Sequence, residues 1–212
     1  MIKQVFSIII YGFLSHNISA QNFGGGIILG LSTSQVGGDN LGGFNKAGLL
    51  AGIFANKKIS PLLTFQMEMN YIQKGSNNPR MNDIENPNDT EDISLSYVEL
   101  PLILQLNIIH YNQNQKTKFE GGVQTAYLIN GYYNDIYGKV PKINNIAPFI
   151  SYDIGLLVGM KYEYSKNISL NTRISNSILP IGKEDYENQD PYNSSRKGKY
   201  NSVLSFALHY NL

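Results

Sequence analysis

The chain has 212 residues, with 17 Lys+Arg against 16 Asp+Glu and a hydrophobic share of 42%, which suits one folded domain and gives no basic excess for nucleic acid. It holds no cysteine, so disulfides, thiol nucleophiles and Cys-ligated metal centres are excluded. Three histidines, His16, His110 and His209, are left for imidazole chemistry.

Met1–Ala20 reads as a secretory signal: Lys3 gives the positive start, Val5–Leu14 the apolar stretch, and Ala20 a small residue at the cleavage point. The stretch is shorter than the ~20 apolar residues a spanning helix needs. No cysteine follows it, which argues against a lipoprotein anchor. Residues 21–212 then form a single domain, with 16 basic and 16 acidic side chains once Lys3 is removed.

From Phe23 onward the apolar pattern has period two, the signature of strands. Phe23–Leu31 sets Phe23, Ile27, Leu29 and Leu31 against glycines. Ala47–Asn56 is apolar on both faces, so its register stays open. Leu62–Lys74 opposes Leu63, Phe65, Met67, Met69 and Tyr71 to Thr64, Gln66, Glu68, Asn70 and Lys74. Ser96–Ile108 opposes Val98, Leu100, Leu102, Leu104, Leu106 and Ile108 to Tyr97, Glu99, Pro101, Gln105 and Asn107. Phe119–Ile129 carries Glu120 and Gln124 on its polar face. Ser151–Tyr164 carries Asp153 and Lys161, Ile168–Ile178 carries Arg173, and Val203–Leu212 carries Ser205 and His209. On a helix these apolar residues would wrap around the axis instead of forming a stripe.

The connections alternate in length. Residues 57–61 and 165–167 are tight turns and 109–116 is moderate, whereas 32–46, 75–93, 131–148 and 180–200 are long. An up-and-down meander therefore has long loops at one end and short turns at the other.

Alternation leaves the inner face ambiguous, since a soluble barrel is apolar inside and a membrane barrel apolar outside. Three features favour the membrane form. The polar face mixes signs and glycines, which suits a narrow lumen. Aromatics flank the apolar face at both ends, with Phe119, Tyr162, Tyr164 and Tyr210 at one and Tyr71, Tyr127 and Tyr152 at the other, as in interfacial girdles. The loop asymmetry is that of outer-membrane barrels. The expected fold is all-β: an eight-stranded antiparallel up-and-down transmembrane barrel in the outer membrane of a Gram-negative bacterium.

The Gly-rich first strand GGGIILGLS, the MNYIQKG ending at Gly75, the YVELPLILQ at Tyr97–Gln105 and the GGVQTAYLINGYY at Gly121–Tyr133 together resemble the PorT-type outer membrane protein beta-barrel family of Bacteroidetes-type bacteria. The resemblance spans nearly all of residues 21–212. It implies an eight-stranded outer-membrane barrel and brings no catalytic residues. One named member is tied to protein secretion, a role the matched motifs do not carry over.

The residues themselves offer little chemistry. Ser205 and His209 share the polar face, but a lipid-cleaving triad would sit on the outer wall, so a hydrogen-bonded lumen histidine is expected. His110 belongs to a turn. Asp83, Glu85, Asp89, Glu91 and Asp92 form an acidic loop without the spacing of an EF-hand, and 183–199 is a mixed-sign loop. Gly24–Gly26 precede no helix and form no phosphate cradle. Neither cofactor nor metal is expected.

The constellation singled out is a set of lumen charges: Glu68, Glu99, Glu120, Asp153, Lys161 and Arg173. Unpaired buried charge is costly, so Glu120 is expected to pair with Lys161, and Arg173 to meet at least one of Glu68, Glu99 and Asp153. The functional expectation is a monomeric, non-enzymatic barrel in outer-membrane lipid. Its loops 75–93 and 180–200 would face a surface or envelope protein partner, with no nucleic acid involved. The alternatives are a membrane-embedded lipid-modifying enzyme, marked by a Ser–His–carboxylate contact on the outer wall, and a soluble secreted barrel with an apolar ligand cavity.

Overall fold

A computed structural model describes residues 23–38, 43–77, 92–107, 116–135, 138–141, 149–182 and 198–212. The segment 1–20, His110, residues 78–91 of the acidic loop and residues 183–197 lie outside these described residues.

Among the described residues there are nine strands: β1 (Phe23–Gly37), β2 (Lys46–Lys58), β3 (Leu63–Asn77), β4 (Asp92–Asn107), β5 (Thr117–Asp135), β6 (Gly138–Pro141), β7 (Tyr152–Glu163), β8 (Ile168–Ser177) and β9 (Tyr200–Asn211). Eight of them form a closed antiparallel ring in the order β1-β2-β3-β4-β5-β7-β8-β9, with β9 returning to β1. Closure is set by pairs such as Ile28↔His209 and Leu29↔Leu208. It leaves no open edge where the wall meets lipid. The short β6 lies in what reads from sequence as a long connection, and folds back on the end of β5 through Tyr132↔Pro141 and Asp135↔Gly138. The two tight turns are held by serines: Leu63 N donates to Ser60 Oγ at 3.1 Å, and Ile168 N to Ser165 Oγ at 3.1 Å.

The apolar face points outward. Leu29, Leu31, Ile53, Met69, Leu104, Leu156, Val158 and Phe206 are exposed, while Gln66, Glu68, Asn70, Glu99, Gln105, Glu120 and Lys161 are buried. An exterior this apolar is stable in hydrocarbon and would aggregate in water.

Several strands run past their expected ends on the long-loop side: β1 to Gly37, β3 to Asn77, β4 from Asp92, β5 to Asp135 and β9 from Tyr200. The reason is chemical. Above the lipid band the pattern inverts while the pleat continues. Gln35, Gln73, Ser94, Ser96 and Ser202 now face outward, and Val36, Ile72, Ile93, Leu95, Leu128 and Val203 are buried inside with Ile181 and Phe149. Here the barrel is built as a soluble one, with an apolar core that caps the lumen. A bulge assists: Ser96 pairs with Asn130 but Tyr97 with Leu128, so Ile129 is the extra residue and the facing of β5 resets.

On the same side the β2–β3 seam ends at Leu50↔Ile72. Side chains close it above that point. Ser32 Oγ donates to Gln73 O at 2.7 Å, and Ser34 Oγ to Gly75 O at 3.0 Å, both reaching from β1 across β2. Leu49 N donates to Gln73 Oε1 at 3.2 Å. Gly75 itself has φ +149°, a conformation that favours glycine.

Candidate functional site

Among the described residues, the lumen holds two ionic networks. In the first, Arg173 on β8 forms a bidentate pair with Glu68 on β3, Nη1–Oε2 at 2.7 Å and Nη2–Oε1 at 2.8 Å. Its Nε donates to Glu120 Oε2 on β5, also at 2.7 Å. The planar guanidinium thus bridges carboxylates from across the ring and from the same wall, a task its fixed fork of donors suits. Neutral amides take the remaining lone pairs. Gln66 and Asn70 donate to Glu68 at 2.5 and 2.8 Å, and Gln105 and Asn171 donate to Glu120 at 2.8 and 2.7 Å.

The second network lies towards the long loops. Lys74 on β3 pairs with Glu99 on β4, and its Nζ is 3.5 Å from Asp153 Oδ2 on β7. Asn201 on β9 donates to Asp153 at 3.0 Å, and Gln124 to Glu99 at 3.4 Å. The Lys74 ammonium also lies 5.0 Å from the ring centroid of buried Tyr97. Tyr97 and the apolar cap above it close this side.

Two expected pairings differ. Glu120 pairs with Arg173, not with Lys161. Register is the cause: Glu120 lies opposite Gly159, Gly159 lies opposite Arg173, and Lys161 is set two residues further towards the short turns. Gly159 has no side chain, so Arg173 passes over it; a Cβ there would stand 2.6 Å from Arg173 Cγ. Lys161 instead reaches Gln66 Oε1 at 3.4 Å and the face of Phe54 at 5.0 Å. His209 is fully buried and tilted against Phe54 at 5.3 Å between centroids, but neither ring nitrogen has a hydrogen-bond partner among the described residues. The hydrogen-bonded histidine expected there is thus a packing contact instead.

Lys74 was not among the charges singled out, although it sits on the same polar face as Glu68, six residues along. Parity places it in the lumen, and β3 runs on past it to Asn77. Lys199, also buried, precedes β9 and lies 6.0 Å from the Phe149 ring; no sequence pattern announced it. Of the acidic loop, Asp92 is described, and it pairs with Lys46 at 2.8 Å. Among the described residues no group of three His, Asp or Glu is placed to hold a metal ion. Ser205 and His209 both face inward, away from the lipid side.

Against known proteins, residues 15–181 match the family described as Outer membrane protein beta-barrel domain. That match ends before β9, the strand that closes the ring. Among solved structures, Ail, the attachment invasion locus protein of Yersinia pestis, superposes with a TM-score of 0.52 at 10% identity, covering 90% of this chain and 99% of that one. Neisserial surface protein A (NspA) superposes with a TM-score of 0.47 at 14% identity, covering 90% and 97%. Identities this low bear on the fold. No curated protein matches the chain.

Proposed function

We propose, for a chain that belongs to the outer membrane protein beta-barrel domain family, a non-enzymatic role as a sealed monomeric barrel in outer-membrane lipid, its long loops offered to a surface or envelope partner. The observation that carries this reading is the filled lumen. The Arg173–Glu68–Glu120 bridge and the Lys74–Glu99–Asp153 cluster span the interior, and the cap of Ile93, Leu95, Leu128, Val203 and Ile181 lies above them. An eight-stranded ring is only wide enough for side chains to fill, so these residues leave no continuous aqueous path.

The non-enzymatic part draws support from the inward facing of Ser205 and His209, which separates them from lipid substrates. The processed protein begins near Gln21 in this reading, and the finer kinship with PorT-type barrels rests on the motifs at Asn70–Gly75 and Tyr97–Gln105. Loops 75–93 and 180–200 are the partner surface because they are long and lie at the end opposite the tight turns.

The test is conductance. The refolded protein in a planar bilayer should give no steady channel, while Arg173→Ala combined with Lys74→Ala should give small, measurable events if folding persists. A steady nanosiemens conductance from the unaltered protein would overturn the sealed lumen.

A further inference from the structure

The outward residues of β8 run Leu170, Thr172, Ile174 and Asn176, and the next alternate residue, Ile178, is again exposed. Asn176 therefore does not mark the end of the apolar wall. Exposed isoleucines stand on both sides of it along the chain, and exposed Leu156 lies opposite it on β7. On β9 its neighbour is Ser202, set between Tyr200 and Leu204 among the outward positions, and Ser202 in turn faces Gln35 on β1. One outward row thus reads Leu156, Asn176, Ser202, Gln35 across four strands. Three of the four are uncharged hydrogen-bonding groups.

The outer wall is indented at this row. The indentation has a volume of about 480 Å³ and is lined by Leu156, Val158, Ile174 and Ile178, with Asn176 and Tyr200 as its polar part. It runs from Val158 and Ile174 towards the long-loop end, where Ile178 and Tyr200 lie. The polar groups are only half used. Ser202 Oγ donates to Asn176 Oδ1 at 2.7 Å, and Gly43 N donates to Gln35 Oε1 at 3.0 Å. The amide nitrogens of Asn176 and Gln35 have no acceptor among the described residues. An amide donor in apolar surroundings costs free energy until something accepts from it. Charge is absent here. Among the described side chains at this end, Lys46 and Asp92 are closed on each other at 2.8 Å, and Lys74, Glu99, Asp153 and Lys199 are buried inside.

We propose that the indentation is a site for one uncharged glycolipid of the external leaflet, with an acyl chain along Val158 and Ile174 and the sugar headgroup hydrogen-bonded along the Asn176–Ser202–Gln35 row. The leaflet follows from the long loops lying outside the cell, as in the reading above. Headgroup chemistry follows from the row itself. Anionic headgroups are held by clustered Lys and Arg, and no free cation stands among the described side chains here. A phosphate would find its charge unbalanced and the acceptor oxygens of Asn176 and Ser202 beside it. Sugar hydroxyls both donate and accept, as Asn, Gln and Ser side chains do, so each partner uses both functions of the other. The hydrocarbon meanwhile fills an apolar indentation in a wall that faces the bilayer.

The chain contains no tryptophan, so a single introduced tryptophan reports the lipid beside it. Leu204→Trp, opposite Ile174 on β9, stands next to the indentation without lining it. Ile154→Trp is a second reporter on the other bank, where the Ile154 carbonyl accepts from Ile178 N. Met69→Trp on β3 reports the opposite side of the ring. Each whole refolded protein is placed in phosphatidylcholine vesicles, and fluorescence quenching is compared for digalactosyl diacylglycerol, phosphatidylglycerol and phosphatidylcholine with brominated chains. Both leaflets carry the same mixture, so failure of the site is separable from failure of the loop orientation. Leu204→Trp should show a preference for the galactolipid over phosphatidylcholine of about threefold or more, the size of one net hydrogen bond. Met69→Trp should show a ratio close to one. Adding Asn176→Leu with Ser202→Ala should bring the Leu204→Trp ratio close to one, whereas Asn176→Gln should keep most of the preference. Val158→Phe, which narrows the indentation, should reduce it. Heat-modifiable gel mobility verifies that each variant is folded. Equal quenching by galactolipid and phosphatidylcholine at both Leu204→Trp and Ile154→Trp would overturn the site, and so would the same preference at Met69→Trp. A stronger preference for phosphatidylglycerol would show that the occupant is anionic and overturn it too. Loss of the preference on adding excess soluble digalactosyl glycerol would do the same, since the row would then be reading free sugar.

Discussion

Replacing Arg173 with leucine removes the one cation among the described residues that pairs with both Glu68 and Glu120. The Arg173 side chain is 8% exposed and both carboxylate side chains are 0% exposed, so bulk water screens none of the three contacts well. Breaking a buried pair by deleting one partner costs about 3–5 kcal/mol, because the other charge stays behind uncompensated. Here two carboxylates are stranded. Each keeps two amide donors, Gln66 and Asn70 for Glu68, and Gln105 and Asn171 for Glu120. Those bonds hold the cost near the lower end, about 3 kcal/mol. With a urea dependence of roughly 1–3 kcal/mol per molar, the unfolding midpoint should fall by about 1–3 M. The assay is urea titration of the protein in lipid vesicles, read as the heat-modifiable folded band. Adding Glu68→Gln and Glu120→Gln to Arg173→Leu should recover most of the loss, since no charge is then left unpaired. An Arg173→Leu midpoint equal to that of the unaltered protein would refute the reasoning, and so would a triple variant weaker than the single one.

Gly159 should tolerate no branched side chain: Gly159→Val sets a Cβ against Arg173 Cγ and the Thr172 carbonyl, and a loss of about 1–3 kcal/mol is expected in the same titration. If Gly159→Val costs as much in an Arg173→Leu background as alone, the close approach to Arg173 is not the cause. Orientation can be read by single-cysteine labelling, since the chain has no cysteine of its own. A membrane-impermeant maleimide added to intact cells should label Asn88→Cys and Asp190→Cys, and label Lys58→Cys and Lys166→Cys only after permeabilisation. The reverse pattern would place the long loops in the periplasm.

The barrel was legible in the sequence because lipid and lumen make opposite demands on alternate residues. Runs such as Leu63–Tyr71 and Tyr152–Tyr164 can satisfy both only as strands with one wall outward, and loop lengths then order the two ends. Even the meeting of Arg173 with a carboxylate followed from parity, since a cation with no way to lose its charge needs an anion in so narrow a space. What parity alone does not decide is which anion. That depends on the shear between strands: the register that sets Glu120 opposite Gly159 gives Glu120 to Arg173 and leaves Lys161 beside Gln66 and Phe54. The strand ends on the long-loop side were hidden for a related reason. Above the bilayer the outside becomes water, so the same pleat carries the inverse pattern. Lys74 sits where that changeover begins, with Ile72 just before it already apolar inside. Only closure of the ring shows that Ile93 and Leu95 of β4 and Leu128 of β5 converge with Val203 of β9, far along the chain, on one apolar cap over the charged lumen. Convergence of that kind depends on where strands stand around the axis, which a one-dimensional pattern does not encode.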